Sequence, residues 1–191
     1  NISSIIIFGL LYALKNTGYS LRLATFLFSI LLFYAVDLWL DLDFKKRHYA
    51  IFIVVAVGGI IFSPFYFIFP NYDKALHLIE PIFLSTLIFF LLDKIKIKFS
   101  AKIILTFAVM VAALSIFEMG EYILDQLFDF KLQGVYLRDI SGVAKLNIVL
   151  DKNDDTMIDM LFGTAGALIF VLIRTIVFYE RKWNKRIKDY F

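Results

Sequence analysis

The feature that most limits how this chain can fold is the apolar run from Ile103 to Phe130. It is 28 residues long, more than the roughly 20 a helix needs to cross the hydrocarbon core of a membrane, and other apolar runs lie before and after it. In lipid, such a run can satisfy its backbone polar groups only by closing them on itself as a helix. The chain therefore reads as an all-α integral membrane protein. Its 61% hydrophobic and 18% aromatic residues agree, since a soluble domain is near half apolar.

Taken in order, the runs predict about six transmembrane helices in one polytopic domain over 1–191, at about 4–14, 23–42, 49–69, 74–92, 103–130 and 156–179. The first is about half a span by length, so it either begins ahead of Asn1 or takes in Asn1 to Ser3. No cleavable signal pattern is visible, and there is no internal repeat. Trp39 stands where an interfacial aromatic belongs, Gly58 and Gly59 permit close helix approach, and Pro64 is placed to kink the end of the third span. Asp37, inside the second span, is expected to pair with a nearby Lys or Arg, and His48 to sit at headgroup level. The segment 131–155 mixes apolar residues with charge and reads as an interfacial or re-entrant lid. A basic tail, 180–191, follows the last span.

Orientation comes from the basic residues. Lys45 to Arg47, Lys94 to Lys102 and Arg181 to Lys188 fall on one side. Fewer, Lys15, Arg22, Lys74, Lys131, Arg138, Lys145 and Lys152, fall on the other. The positive-inside bias then makes both termini cytoplasmic and the long loop between helices five and six extracytoplasmic. A net charge of +3 and a basic tail suit anionic lipid rather than nucleic acid.

This orientation brings together the residues that an apolar chain has most difficulty burying. His77, Glu80, Glu118, Glu121, Asp155 and Asp159 all fall in the outer halves of spans four, five and six. Glu118 and Glu121 are three apart and share a helix face, as do Asp155 and Asp159 at four apart. Ionisable groups at this depth mark function by default. With no cysteine in the chain, a metal must be held by carboxylate, imidazole or carbonyl groups, a donor set suited to Mn, Fe, Zn or Mg. The expected metal ligands are His77, Glu118, Glu121, Asp155 and Asp159; Glu80 is the candidate general acid or base, and Asp73 stands at the catalytic rim.

The run Asn71-Tyr72-Asp73-Lys74-x-x-His77, the pair Glu118-x-x-Glu121, and Asp155-x-x-x-Asp159-Met160 before the small-residue run Gly163 to Ala167 together resemble the YjdF-type family of uncharacterised multipass prokaryotic membrane proteins. The resemblance covers roughly the last two thirds of the chain. Asp154 stands where the family pattern usually has tryptophan, and the loop ahead of it is longer. The resemblance implies a prokaryotic plasma-membrane protein and supports the same cluster, without naming a reaction.

Three functions use these residues. A divalent metal held there can polarise a phosphoryl or acyl oxygen or activate water, making the chain a metal-dependent hydrolase or transferase acting on a lipid or lipid-linked substrate. The same acids can relay protons or pass a cation in a coupled transporter. They can also form a satisfied hydrogen-bond network in a non-catalytic scaffold or interaction protein. The partners expected are membrane lipids, not nucleic acid. Gly163, Gly166 and Ala167 read as a close helix-packing face, because no phosphate-cradling Lys-Ser/Thr follows.

Overall fold

The computed structural model describes residues 17–128, 131–138 and 146–190, and it is mostly helical. The chain divides into two compact units, Asn1–Phe65 and Tyr66–Phe191. Among the described residues, four helices are long and apolar enough to cross a membrane. The first expected span, 4–14, lies outside the described residues.

In the first unit, α1 (Thr17–Leu40) is about 36 Å long at 1.5 Å per residue and exposes Leu21, Phe28, Leu31 and Leu38, as a helix whose solvent is lipid should. A turn with left-handed backbone at Asp41 and Asp43 (φ 49° and 53°) leads to α2 (Lys46–Ala56). Phe33 stacks on Phe44 and Phe52 at centroid distances of 5.0 and 4.2 Å and closes the two helices together. Among the described residues, Asp37 pairs with no Lys or Arg. It accepts from the Phe44 backbone N–H at 3.1 Å and from the Tyr49 hydroxyl, because the turn folds back over the end of α1. His48 is fully buried within the protein, and its Nδ1 accepts from Lys45 N–H at 3.0 Å.

The expected third span, 49–69, is divided. After α2 the backbone widens into a π turn over Val57–Ile61, around Gly58 and Gly59, and then tightens into a 3-10 turn over Ser63–Phe67, around Pro64. Glycine adds backbone freedom, and proline removes a donor and clashes with the preceding turn. The α-helical part, 11 residues, covers about 17 Å, and the π and 3-10 turns continue it to Phe67.

The second unit holds α3 (Tyr72–Asp93), α4 (Phe99–Phe128) and α5 (Lys152–Tyr190). Two strands join α4 to α5: β1 (Val135–Arg138) and β2 (Leu146–Leu150), antiparallel with Tyr136 opposite Ile148. The segment expected as a lid therefore contains a hairpin, and the segment expected as a tail continues α5. Met110, Leu114 and Ala167 form the buried apolar centre, flanked by Leu84, Ile88, Phe107 and Met160.

Two glycines set how closely the helices approach. A Cβ on Gly166 would lie 2.2 Å from the Leu78 carbonyl oxygen of α3, and one on Gly163 would lie 2.6 Å from the Leu114 side chain of α4. Backbones meet only where the side chain is missing. His77 adjoins Leu78, Glu118 lies one turn beyond Leu114, and Asp159 lies one turn before Gly163. The polar residues therefore stand directly on this tight layer, at one end of the three helices.

Candidate functional site

The first turns of α3 supply Asp73, Lys74 and His77. Lys74 and His77 are three apart and face inward together, both buried. The Lys74 ammonium reaches α5: Nζ lies 2.8 and 2.9 Å from Asp159 Oδ1 and Oδ2, contacts Asp155 Oδ1, and is 3.2 Å from Asp73 Oδ2. One ammonium thus serves three carboxylates. Asp155 and Asp159 are 2% and 1% exposed, and carboxylates so deeply buried require a partner.

His77 links α3 to α4. Its Nε2 lies 3.4 Å from Asp73 Oδ1 and its Nδ1 3.8 Å from Glu118 Oε1, while its ring meets Phe117 edge-on at 6.0 Å. Asp73 thus orients the ring in the way a carboxylate fixes the tautomer of a functional imidazole. Thr156 stands beside Glu118, and its hydroxyl accepts from Gln133 Nε2 at 3.0 Å.

The hairpin ties into the same end. Gly134 N–H donates to Asp155 Oδ2 at 2.7 Å, and Gly134 has φ of 89°, a backbone shape that favours glycine. Asp125, at the end of α4, accepts from the N–H groups of Leu132 (2.7 Å) and Gln133 (3.2 Å) and from Lys152 Nζ (2.9 Å). Its carboxylate holds both feet of the hairpin.

Two features distinguish the cluster from a closed ion-pair network. Asp73, His77 and Asp159 each offer a ligand atom, and these atoms lie within 4.8 Å of one another. In addition, Glu118 Oε1 and Glu80 Oε1 are buried with no hydrogen-bond partner among the described residues. Glu80 stands within electrostatic reach of His77 and Asp73, and Glu121 of Glu118, Asp73, His77 and Asp159. Tyr66, outside the four spans, is held protonated well above the ordinary tyrosine range by burial and then by the charges of Asp73, Glu80 and Glu121. It therefore presents a neutral phenol to the acids. The carboxylates of Asp73, Asp155 and Asp159 outnumber the one ammonium of Lys74, and His77 can carry a compensating proton. A further cation or proton is electrostatically favoured there.

The family model described as "Predicted membrane protein (DUF2238)" matches residues 2–180. The chain belongs to this family. No curated protein and no solved structure matches it significantly. The matched region takes in every residue of the cluster.

Of the residues expected from sequence, His77, Glu118, Asp155, Asp159 and Asp73 are joined by direct contacts, and Glu80 and Glu121 stand beside them. Lys74, counted in the sequence as a loop charge, lies at the centre instead. The signal was its place in Asp73-Lys74-x-x-His77, on the inward face with the histidine. Tyr66, Thr156, Gln133 and the Gly134 N–H carried no comparable signal, because only the fold brings them near the acids.

Proposed function

We propose that the cluster binds a divalent cation (Mn, Fe, Zn or Mg) and that the protein is a metal-dependent membrane hydrolase or transferase acting on a lipid or lipid-linked substrate. The observation that carries this reading is the convergence of Asp73, His77 and Asp159 within 4.8 Å, a mixed oxygen and nitrogen donor set supplied by two helices. Glu118 completes the set through Oε1, which has no hydrogen-bond partner among the described residues, and Glu121 stands next in line. Asp73 takes a ligand's place rather than the catalytic one its position at the rim suggested. Asp155, engaged by Lys74 and by Gly134 N–H, holds the frame. Glu80 keeps the role of general acid or base. Lys74, which holds both Asp159 oxygens, would turn from Asp159 to an anionic group of the substrate when a cation takes its place.

The site is taken to face outward from a prokaryotic plasma membrane. Lys94, Lys96, Lys98, Lys102 and Arg181 lie at the opposite end of the three helices, and positive charge collects on the cytoplasmic side. Lys74 sits inside the cluster rather than in a loop, so it no longer counts against that bias. Coupled transport uses the same acids but is less well supported, since Met110, Leu114 and Ala167 form a buried apolar centre next to the cluster among the described residues.

The test is metal content of the detergent-purified protein by mass spectrometry, beside a D73N/D159N variant, with lipid turnover followed in mixed micelles with each metal and with chelator. Near-stoichiometric metal in the parent alone, with turnover lost on chelation, is the expected result. Equal trace metal in both proteins overturns the reading.

A further inference from the structure

The end of the second unit opposite the acidic cluster holds a cavity of about 280 Å³ between α3, α4 and α5. Its basic groups are Lys102, Arg174 and Arg181, and its acid is Asp93. Lys102 Nζ is bound to Asp93 Oδ1 at 2.7 Å, so that pair is internally neutral. The two arginines, seven apart on one face of α5, remain. Arg174 packs its guanidinium over the Phe89 ring, 4.2 Å from the centroid, and its Nε is buried without a hydrogen-bond partner among the described residues. A guanidinium is always charged and presents its donors in a rigid fork; leaving one of these donors dry and unpaired is costly.

We propose that this cavity binds the phosphate of an anionic phospholipid headgroup, with Arg174 donating to it from inside and Arg181 from the rim. Guanidinium matches phosphate geometry with paired, charge-assisted hydrogen bonds, and basic pockets between spanning helices are where anionic headgroups bind. The volume lies just below the usual range of ligand sites, about 300–1,000 Å³, enough for a headgroup and not for a whole lipid. The walls favour lipid over free phosphate. Phe99 and Phe178 stack at 3.8 Å beside the arginines, Ile97 and Val177 complete the lining, and exposed Tyr179 and Trp183 mark the membrane interface at this depth. Acyl chains would run from there along the apolar helix faces. This inference is independent of the function proposed for the opposite end.

The test uses the full chain, purified in detergent and titrated with phosphatidylglycerol, phosphatidylcholine or inorganic phosphate, with bound lipid counted by native mass spectrometry. The expected result is phosphatidylglycerol binding about tenfold or more tighter than phosphatidylcholine, weakened about tenfold by R174Q and by R181Q. The K96Q variant, an exposed lysine outside the cavity, should bind as the parent does. Arg181 is exposed, so R181Q tests the site even if R174Q fails to fold. Equal binding of the two lipids, or full phosphatidylglycerol binding in R181Q, overturns the proposal. Displacement of phosphatidylglycerol by millimolar inorganic phosphate overturns the lipid assignment.

Discussion

The Lys74 ammonium lies 2.8 and 2.9 Å from the two carboxylate oxygens of Asp159, 85 positions further along the chain. The pair locks the start of α3 to α5, at a point where both groups are almost out of reach of solvent. Breaking a buried pair from one side costs about 3–5 kcal/mol, because a charge is left uncompensated. K74Q should therefore lower the melting temperature sharply, D159N should lower it less, and the K74Q/D159N double variant should lose clearly less than the two single losses combined. Strict additivity in detergent melts would show that the two residues are not energetically coupled.

A second prediction concerns close packing. G166A places a methyl group 2.2 Å from the Leu78 carbonyl oxygen, whereas nothing lies within 4 Å of a Cβ at Gly120. G166A should destabilise the helix layer and disturb the adjacent site, since the obstruction is backbone and cannot rotate away. G120A should be neutral or stabilising by up to about 1 kcal/mol, the helix-propensity gain of alanine over glycine. Thermal melts of the two variants side by side check this, and equal behaviour would argue against a direct approach of α3 and α5.

The hairpin depends on Asp125, whose carboxylate receives Leu132 N–H, Gln133 N–H and Lys152 Nζ. D125A strands those donors at about 1–3 kcal/mol. Hydrogen exchange at Leu132 and Gln133 should accelerate while the centre of α4 around Met110 stays protected. Unchanged protection at the two amides would mean that the strands, not Asp125, hold the hairpin.

Metal binding predicts a linked stability change. A ligand that binds only the folded protein stabilises it by about 2.7 kcal/mol at a hundred times its dissociation constant. Added Mn, Zn or Mg should therefore raise the melting temperature of the parent, and chelator should reverse the rise. D73N should respond weakly, because it removes the negative charge of one of the three converging ligands. The same shift in D73N as in the parent would place the cation elsewhere.

Much of the site was legible because burying charge in an apolar helix is costly. Glu118 and Glu121 in a long hydrophobic run, and Asp155 and Asp159 one turn apart, announce a polar cluster whatever the fold. The role of Lys74 was not legible, since a lysine near a helix start reads equally as a loop charge until the partner helix is known. The third expected span shows the opposite limit. Its apolar length was clear, but how Gly58, Gly59 and Pro64 divide the backbone depends on local conformations that hydropathy does not contain.

The sequence by itself determined that the chain lives in a membrane, that several helices cross it, and that acids and a histidine meet at one end, because length, apolarity and charge placement are properties of the linear pattern. Only the tertiary structure decided which acid meets which base. The approach of α5 to α3 at Gly166 and to α4 at Gly163 sets the positions at which Lys74, His77 and Glu118 come together with Asp159. Contacts across 85 residues arise from helix packing, which no local spacing records.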